Sequence, residues 1–253
     1  MTRLDGQVAV VTGGNRGIGL GLAEGVAAAG ATVAIWARDA GRNAEACKHL
    51  EAFAPGARAV AYACYVSDED QVEAAMAATL ADLGRVDSLF ANAGVGGTTP
   101  FLEMSLDEWR RVIAVNLDGA FLTFRTAARH LVERGEGGAL VAVSSVSAIH
   151  GAPRMEHYAA ANAGLLALVR GLAVELARHR VRCNAILPGW TDTDLIESGK
   201  QNPRWVENTI KRTPVRRWGQ PADLRDIAAF LADPTLVFHT GDSMVIDGGY
   251  SIF

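Results

Sequence analysis

The first twenty residues place a glycine-rich turn between a short apolar strand and a helix, and this feature limits the fold more than any other. The apolar run Val8–Val11 leads into TGGNRGIG, in which Gly13, Gly17 and Gly19 are spaced as GxxxGxG. Glycine is required here because the backbone must bend sharply and let a pyrophosphate approach without a Cβ in the way. The N–H groups and positive dipole end of the next helix then face the phosphates. The sequence therefore predicts a dinucleotide site, with a purely structural turn as the alternative.

Short apolar segments alternate with longer segments of helical periodicity along all 253 residues. The predicted strands are Val8–Val11, Thr32–Trp36, Ala59–Ala63, Ser88–Ala91, Ala139–Ser144, Arg182–Ile186 and Met244–Ile246. The predicted helices are Gly17–Ala29, Ala40–Ala54, Glu69–Leu83, Asp107–Arg134, Tyr158–Arg178 and Ala222–Leu231. Repeated strand–helix–strand units need crossover helices, which cover a parallel sheet on both faces. We therefore predict an α/β fold with a doubly wound, seven-stranded parallel sheet, as one domain over residues 1–253.

Composition excludes several classes of partner. Hydrophobic residues make up 49% of the chain, so a large core can form, and the net charge of −4 gives no basic face for nucleic acid or an anionic membrane. The three cysteines, Cys47, Cys64 and Cys183, are widely spaced and form no metal-ligand cluster or disulfide framework. No signal peptide and no uninterrupted apolar run of ~18 residues is evident. We expect a soluble, cytoplasmic protein with reduced cysteines.

One stretch, approximately residues 190–220, lacks clear periodicity and is rich in Thr, Asp, Pro and Trp. A long segment of this kind inside a domain is usually a functional lid or a poorly ordered loop. We expect a substrate lid. Trp205 and Trp218 either shape that lid or serve as packing anchors.

Charge at the end of the second strand bears on the choice of cofactor. An acidic residue there would hydrogen-bond the ribose hydroxyls of NAD and repel the 2′-phosphate of NADP. The strand instead ends Trp36-Ala37-Arg38, and Arg16 lies within the glycine turn. Arginine grips phosphate through paired hydrogen bonds, so the two guanidinium groups favour NADP(H). Two solvated surface arginines are the alternative.

Further motifs follow the glycine turn in order. They are Asn92-Ala93-Gly94, Asn116, Ser145, Tyr158, Pro188-Gly189-Trp190-Thr191-Asp192-Thr193 and Val245-Ile246-Asp247-Gly248-Gly249. Together with the turn, they resemble the short-chain dehydrogenase/reductase family over essentially the whole chain. The resemblance implies a Rossmann-type sheet and a homotetramer, which the apolar surfaces of the long helices also suit. The predicted cofactor-binding residues are Gly13, Asn15, Arg16, Gly17, Ile18, Gly19, Arg38, Tyr65, Val66, Asn92, Ala93, Gly94, Tyr158, Asn162, Pro188, Gly189, Thr191 and Thr193.

The resemblance also implies the catalytic roles. Tyr158 exchanges a proton with the substrate oxygen, Ser145 holds that oxygen, and Asn116 belongs to a water-linked proton path. In similar proteins a lysine one helical turn beyond the tyrosine lowers the tyrosine pKa and grips the nicotinamide ribose. Here that position is Asn162, which we expect to take part in the catalytic set.

The absence of this lysine has a chemical consequence. Free tyrosine has a pKa near 10, and a nearby cation shifts such a group by ~1–3 units. An amide can hydrogen-bond the ribose but cannot stabilise a tyrosinate. We therefore expect alcohol oxidation to suffer more than ketone reduction, because reduction uses Tyr158 as an acid.

A second departure from the family pattern is Tyr65, where similar proteins carry an aspartate that contacts the adenine amino group. A tyrosine there either stacks on the adenine or closes the pocket. Two such changes in one cofactor site indicate a divergent enzyme, a weakened relic or introduced substitutions.

The loops around Tyr158 are expected to hold the substrate. Their candidate residues are Gly96, Val146, His150, Met155, Trp190 and Leu195. Apart from His150 these residues are apolar, and no arginine or lysine offers an anchor for a carboxylate or phosphate. The default substrate is therefore a neutral, fairly hydrophobic ketone or secondary alcohol.

Three functions compete at this point. The leading prediction is an NADP(H)-dependent carbonyl reductase or alcohol dehydrogenase that uses Asn116, Ser145, Tyr158 and Asn162. The alternatives are a nucleotide-binding protein with little or no redox turnover, and a non-redox lyase or isomerase. The intact pair of Ser145 and Tyr158 favours the first, and the missing lysine favours the others.

Overall fold

The computed structural model describes residues 3–253, and its centre is one parallel sheet of seven strands. The strands are β1 (Val8–Thr12), β2 (Thr32–Ala37), β3 (Ala59–Ala63), β4 (Ser88–Ala91), β5 (Gly138–Val143), β6 (Val181–Pro188) and β7 (Ser243–Ile246). Their spatial order is β3-β2-β1-β4-β5-β6-β7. The predicted fold class and all seven predicted strands are therefore confirmed, with ends that differ by at most two residues.

Helices cover both faces of this sheet. They are α1 (Gly17–Ala28), α2 (Ala40–Phe53), α3 (Glu69–Leu83), α4 (Leu106–Ile113), α5 (Gly119–Arg134), α6 (Ser147–His150), α7 (Glu156–Leu176), α8 (Glu197–Lys200), α9 (Pro203–Arg212) and α10 (Arg225–Ala232). By length and mean hydropathy of 1.4, the segment Glu156–His179 is the one described helix that could cross a membrane. It packs against β6 and contributes Leu165 and Val169 to the core.

Side chains of β2 show why both faces are covered. Trp36 belongs to an apolar cluster that includes Phe124 and Leu140, whereas Ile35 belongs to a second cluster with Leu22. Successive side chains of a strand point to opposite faces, so an unbroken apolar strand requires a core on each side.

The short helix α6 was not predicted, and the structure also departs from the sequence prediction in two longer regions. The single helix predicted over Asp107–Arg134 is divided by one π-helical turn, Ala114–Asp118, between α4 and α5. The stretch 190–220, expected to lack regular structure, contains α8 and α9. Helix α9 begins at Pro203 after Asn202, whose side chain accepts the Trp205 N–H. This cap and proline are a recognisable start signal that outweighs the weak periodicity.

The strand order reverses beside β1, because β2 lies on one side of it and β4 on the other. The loops that leave the carboxyl ends of these strands diverge there and open a crevice. In open parallel sheets, ligands bind at such a position. The glycine turn after β1 lies at this crevice.

Candidate active site

The glycine turn adopts a conformation that side chains would prevent. Gly13 and Gly17 have φ angles of +64° and +51°, in the left-handed region that favours glycine. A Cβ added to Gly19 would overlap the carbonyl oxygen of Gly13 and the side-chain amide of Asn92. The turn therefore needs glycine both for its dihedral angles and for close packing.

Thr12, at the end of β1, fixes this turn to the loop after β4. Its Oγ1 accepts the backbone N–H groups of Asn92 and Ala93, each at 2.9 Å. The Asn92 amide donates to the carbonyl oxygen of Thr12 at 2.9 Å. Two of the predicted cofactor residues, Asn92 and Ala93, are thus held against the turn, while Gly94 is exposed. Sequence reasoning missed Thr12. The signal available in the sequence was a hydroxyl residue between an apolar strand and the glycines.

Helix α1 begins without a side-chain cap. The helices α2, α3, α4 and α9 are capped by Asp39, Asp68, Ser105 and Asn202. The first turn of α1 holds no acidic residue, so its N–H groups remain able to bind an anion. The predicted cofactor residue Ile18, in this first turn, packs against the second apolar cluster. These features fit a dinucleotide pyrophosphate.

Arg16 and Arg42 both lie beside Asp194. The Asp194 Oδ2 atom is 2.7 Å from Arg16 Nη1 and 3.6 Å from Arg42 Nη1. Sequence reasoning identified Arg16 and missed Arg42, which lies four residues after Arg38 on helix α2. The glycine turn is thereby connected to the segment that follows β6.

Arg38 faces the ring of Tyr65, with its guanidinium carbon 5.7 Å from the ring centre. The Tyr65 ring is 51% exposed, so it is free to stack on a flat ligand group. Val66 is buried against Gly119. The predicted ligand Asn15 instead donates its side-chain amide to Asn43 at 2.7 Å, which ties the turn to α2.

The segment after β6 covers the glycine turn. Gly189 packs so closely on Asp247 that an added Cβ would lie 2.6 Å from the Asp247 Cβ. Thr191 is buried and pairs with Gly219 in an isolated parallel bridge. The methyl group of Thr193 would lie 3.2 Å from a Cβ on Gly17. Pro188 ends β6 within the core, so of the predicted residues Pro188, Gly189, Thr191 and Thr193 it is Thr193 that contacts the glycine turn.

Ser145 and Tyr158 are brought together at the carboxyl end of β5. Burial raises the pKa of Tyr158, while hydrogen bonding from Ser145 and Asn162 opposes that rise without cancelling it. The Ser145 Oγ atom also accepts the Ser147 N–H at 3.1 Å, which orients the hydroxyl. Tyr158 therefore remains a neutral phenol beside a second hydroxyl.

Asn162 occupies the position one turn beyond Tyr158, and its side-chain amide interacts with both the helix backbone and the Tyr158 phenol. Its Nδ2 donates to the Tyr158 carbonyl oxygen at 2.9 Å, and the residue is 3% exposed. Among the described residues, no cationic side chain contributes to the pKa of Tyr158.

Asn116 lies in the π-helical turn and clamps the loop after β4. Its Oδ1 accepts the Val95 N–H, and its Nδ2 donates to the Val95 carbonyl oxygen, both at 2.9 Å. Both polar atoms of the side-chain amide take part in this clamp. Because π-turns shift the helix face by one residue, the turn brings Asn116 onto the loop.

A charged network beneath the same loop was not foreseen from the sequence. Arg111 donates to the Gly96 carbonyl oxygen at 2.8 Å and to both oxygens of Glu108. Hydrogen bonding from Arg111, with a smaller contribution from His157, lowers the pKa of Glu108 to about 2. His157 is fully buried, its Nδ1 accepts the N–H of Tyr158, and its Nε2 lies 3.4 Å from Glu108. The network therefore connects the Gly96 loop to the start of α7.

Three predicted substrate residues, Gly96, Leu195 and Met155, meet at one place. A Cβ on Gly96 would lie 3.1 Å from Leu195 Cδ1 and 3.8 Å from Met155 Cε. Val146 packs against the first apolar cluster and its N–H donates to the Pro188 carbonyl oxygen. Leu195 and Met155 therefore lie against the Gly96 loop, while Val146 joins β6 to the loop after β5.

The other two predicted substrate residues have different surroundings. Trp190 packs edge-on against Trp205 with ring centres 4.8 Å apart, and Trp205 contacts Trp218 at 5.5 Å. The tryptophans of this region thus serve as packing anchors. His150 lines a groove of about 510 Å³ with the C-terminal residues, among them Val245 and Asp247.

Known proteins resemble this chain along its whole length. The family model described as enoyl-(acyl carrier protein) reductase matches residues 13–251. L-Rhamnose 1-dehydrogenase (NAD(P)(+)) of Azotobacter vinelandii is 38% identical over 95% of this chain and 94% of that protein. Gluconate 5-dehydrogenase of Gluconobacter oxydans is 34% identical over 98% of this chain and 96% of that protein.

Solved structures agree with the observed fold. A short-chain type dehydrogenase/reductase from Mycobacterium marinum superposes with a TM-score of 0.94 at 32% identity, covering 99% of this chain and 98% of that one. A gluconate 5-dehydrogenase from Burkholderia cenocepacia J2315, in complex with NADP and tartrate, superposes with a TM-score of 0.93 at 34% identity. That match covers 98% of this chain and 96% of that one. The chain belongs to the short-chain dehydrogenase/reductase family.

Proposed function

We propose that this protein is a nicotinamide-dependent oxidoreductase that interconverts a hydroxyl and a carbonyl group on a sugar or sugar acid. The observation that carries the proposal is the pairing of Ser145 with Tyr158, close enough for the serine to affect the pKa of the phenol. The chemistry needs two hydroxyl groups on one substrate oxygen, and a binding protein does not. The dehydrogenase and reductase names of the relatives support the same class of reaction.

The substrate class differs from the neutral, hydrophobic ketone expected from the apolar loop residues. The relatives named above act on L-rhamnose and gluconate, which carry several hydroxyl groups. A 5-keto-D-gluconate 5-reductase of Escherichia coli is also 35% identical over 97% of this chain. Leu195 and Met155, which meet at Gly96, are assigned to the wall of the substrate pocket. Their apolar character determines the shape of that pocket but does not identify the polar groups of the substrate. We therefore replace the hydrophobic ketone with a polyhydroxylated substrate.

Tyr158 and Ser145 are assigned the proton chemistry. A bound nicotinamide cofactor supplies or accepts the hydride. Ser145 Oγ holds the substrate oxygen, with its own position fixed by the Ser147 N–H. Tyr158 donates its phenolic proton to the forming alkoxide during reduction and must recover a proton from that hydroxyl during oxidation.

The protonation state of Tyr158 sets the easier direction. Because burial raises the pKa of Tyr158 above its ordinary value of ~10, the phenol is protonated at neutral pH. A protonated phenol is ready to act as an acid, so carbonyl reduction proceeds at neutral pH. Oxidation requires the tyrosinate and rises only toward alkaline pH.

The cofactor proposed is NADP(H). The support is the group of exposed guanidiniums, Arg16, Arg38 and Arg42, around the turn and the end of β2, where Ala37 supplies no carboxylate. The uncapped start of α1 is assigned to the pyrophosphate, and the Tyr65 ring to the adenine. Arg38 lies on one side of that ring and would remain close to the ribose phosphate.

We also propose a substrate lid and a surface for subunit contact. The segment 190–220 forms a lid over the substrate, since Thr193 and Leu195 reach the turn and the Gly96 loop. The groove on α5 and α7, lined by Phe121, Leu168 and Leu172, suits contact with a second subunit of a cytoplasmic homotetramer.

A second function is favoured by one observation. Among the described residues no cationic side chain affects the pKa of Tyr158, so a cofactor-binding protein with very slow turnover remains the alternative. Two assays separate these functions. The first measures oxidation of NADPH and NADH with 5-keto-D-gluconate or with a hydrophobic ketone. The second measures reduction of NADP⁺ and NAD⁺ with L-rhamnose or gluconate. We expect turnover with at least one sugar or sugar acid. Tight NADPH binding without turnover on any of them would support the binding protein instead.

A further inference from the structure

We propose that Asp194 is a built-in competitor for the 2′-phosphate of the cofactor, so that it weakens NADP(H) binding and leaves NAD(H) binding unchanged. The inference rests on the proposed function. Its basis is the carboxylate that lies between two arginines at the mouth of the cofactor crevice.

The geometry of this contact is that of an anion held by two cations. Asp194 Oδ2 lies 2.7 Å from Arg16 Nη1 and 3.6 Å from Arg42 Nη1. The three side chains are 67%, 49% and 50% exposed respectively. Because exposed ion pairs are weak and open to solvent, another anion can replace the carboxylate.

Neither of the two other carboxylates nearby contacts Arg16, although Asp39 shares Arg42 with Asp194. Asp39 caps α2 through the Arg42 N–H at 3.1 Å and lies 3.6 Å from Arg42 Nε. Asp192 pairs with Lys200. Within residues 3–253, Asp194 is therefore the carboxylate that holds Arg16.

A phosphate monoester is a stronger ligand for these arginines than a carboxylate. It carries a charge of about −1.5 to −2 at neutral pH and offers three acceptor oxygens. A 2′-phosphate can therefore displace Asp194 from Arg16 and Arg42, whereas the ribose hydroxyl of NAD(H) cannot. The 2′-phosphate of NADP(H) must compete with the Asp194 carboxylate for the two arginines. NAD(H) has no such phosphate, so its binding free energy is not reduced by this competition.

The displaced residue is the sequence neighbour of Leu195, which is assigned to the substrate pocket. Asp194 begins a 3-10 turn that ends at Ile196, and Leu195 within it contacts the Gly96 loop. Binding of the phosphate thus releases one attachment of the segment that faces the substrate. Choice of cofactor and shape of the pocket are connected through this one residue.

The test compares Asp194→Asn with Asp192→Asn, which removes the same charge from the same segment but from a carboxylate paired with Lys200. Dissociation constants are measured by calorimetry for NADPH, NADH, 2′,5′-ADP and 5′-AMP. We expect Asp194→Asn to tighten NADPH and 2′,5′-ADP binding roughly two- to fivefold, the range expected for an exposed ion pair. NADH and 5′-AMP should be unchanged, and Asp192→Asn should alter none of the four.

Two results would overturn the inference. Equal weakening of NADPH and NADH by Asp194→Asn would show that the carboxylate clamps the bound cofactor. Equal tightening by both variants would show a general effect of charge. The proposed cofactor preference is judged separately, by the ratio of NADPH to NADH affinity in the unaltered protein, so the two ideas fail on different measurements.

Discussion

The two ends of the cofactor crevice differ in where they hold positive charge. At the end of β2 and the glycine turn, three arginines stand at the surface, and two of them, Arg16 and Arg42, share the carboxylate of Asp194. Beside Tyr158, where the chemistry calls for a cation, the structure offers the amide of Asn162. The exposed charges adjust affinity by small factors because solvent screens them. A single charge missing beside a buried phenol changes its pKa directly, so its effect on the reaction is larger.

The largest effect is expected from removing the phenol itself. Tyr158→Phe keeps the ring and its packing but removes the proton donor, so turnover should fall by ~10²–10⁴-fold. NADPH affinity, measured by fluorescence, should change little because the arginines and the turn are intact. Unchanged turnover would mean that the catalytic end of the crevice has been assigned to the wrong residues.

Gly19→Ala tests the glycine turn, on which both ends of the cofactor crevice depend. A Cβ in Gly19→Ala would overlap the Gly13 carbonyl oxygen, so the turn must shift. We expect at least a tenfold loss of NADPH affinity and a melting temperature lower by several degrees, since overpacking costs about 1–3 kcal/mol. Gly171→Ala is the control, because nothing lies within 4 Å of a Cβ there and the backbone is helical. Equal results for the two variants would contradict the packing argument.

Arg38→Ala tests the role of the arginines at the end of β2. Loss of the guanidinium should weaken NADPH binding about tenfold, the effect of losing one charge-assisted hydrogen bond. NADH lacks the phosphate and serves as the control ligand in the same titration. Equal losses for the two cofactors would mean that Arg38 acts through Tyr65 and the adenine.

A smaller effect is expected beneath the Gly96 loop. Arg111→Met removes the donor to the Gly96 carbonyl oxygen, so the pocket wall loosens and KM for the substrate should rise roughly threefold with kcat nearly constant. Arg110→Met removes an exposed charge from the next position of α4 and should leave KM unchanged. A fall in kcat with constant KM would show that the Arg111–Glu108–His157 network positions Tyr158 and does not support the pocket wall.

The sequence predicted the sheet well because its information is local. Strands such as Thr32–Ala37 are apolar throughout, and the glycines mark a turn that tolerates no other residue. Helix α9 is only ten residues long and lies in a stretch without clear periodicity, so its local start signal, Asn202 followed by Pro203, is the one feature that indicates it.

The features that escaped prediction depend on residues distant in sequence. The π-turn at Ala114–Asp118 accompanies the clamp of Asn116 on Val95, a tertiary contact that helical periodicity does not encode. The pairing of Arg16 with Asp194 joins residues 178 positions apart. Sequence reasoning found the arginine because its type suits phosphate, and missed the carboxylate because nothing local indicated the contact.

The central claim is that Tyr158 works without a cation beside it. The most direct test is the pH profile of alcohol oxidation, with NADP⁺ saturating, for the unaltered protein and for Asn162→Lys. We predict that oxidation by the unaltered protein rises only toward and above pH ~10, because burial raises the pKa of Tyr158. Asn162→Lys should move that rise down by ~1–3 pH units and increase the rate at neutral pH. Identical profiles for the two proteins would contradict the account and show that the proton leaves by another path.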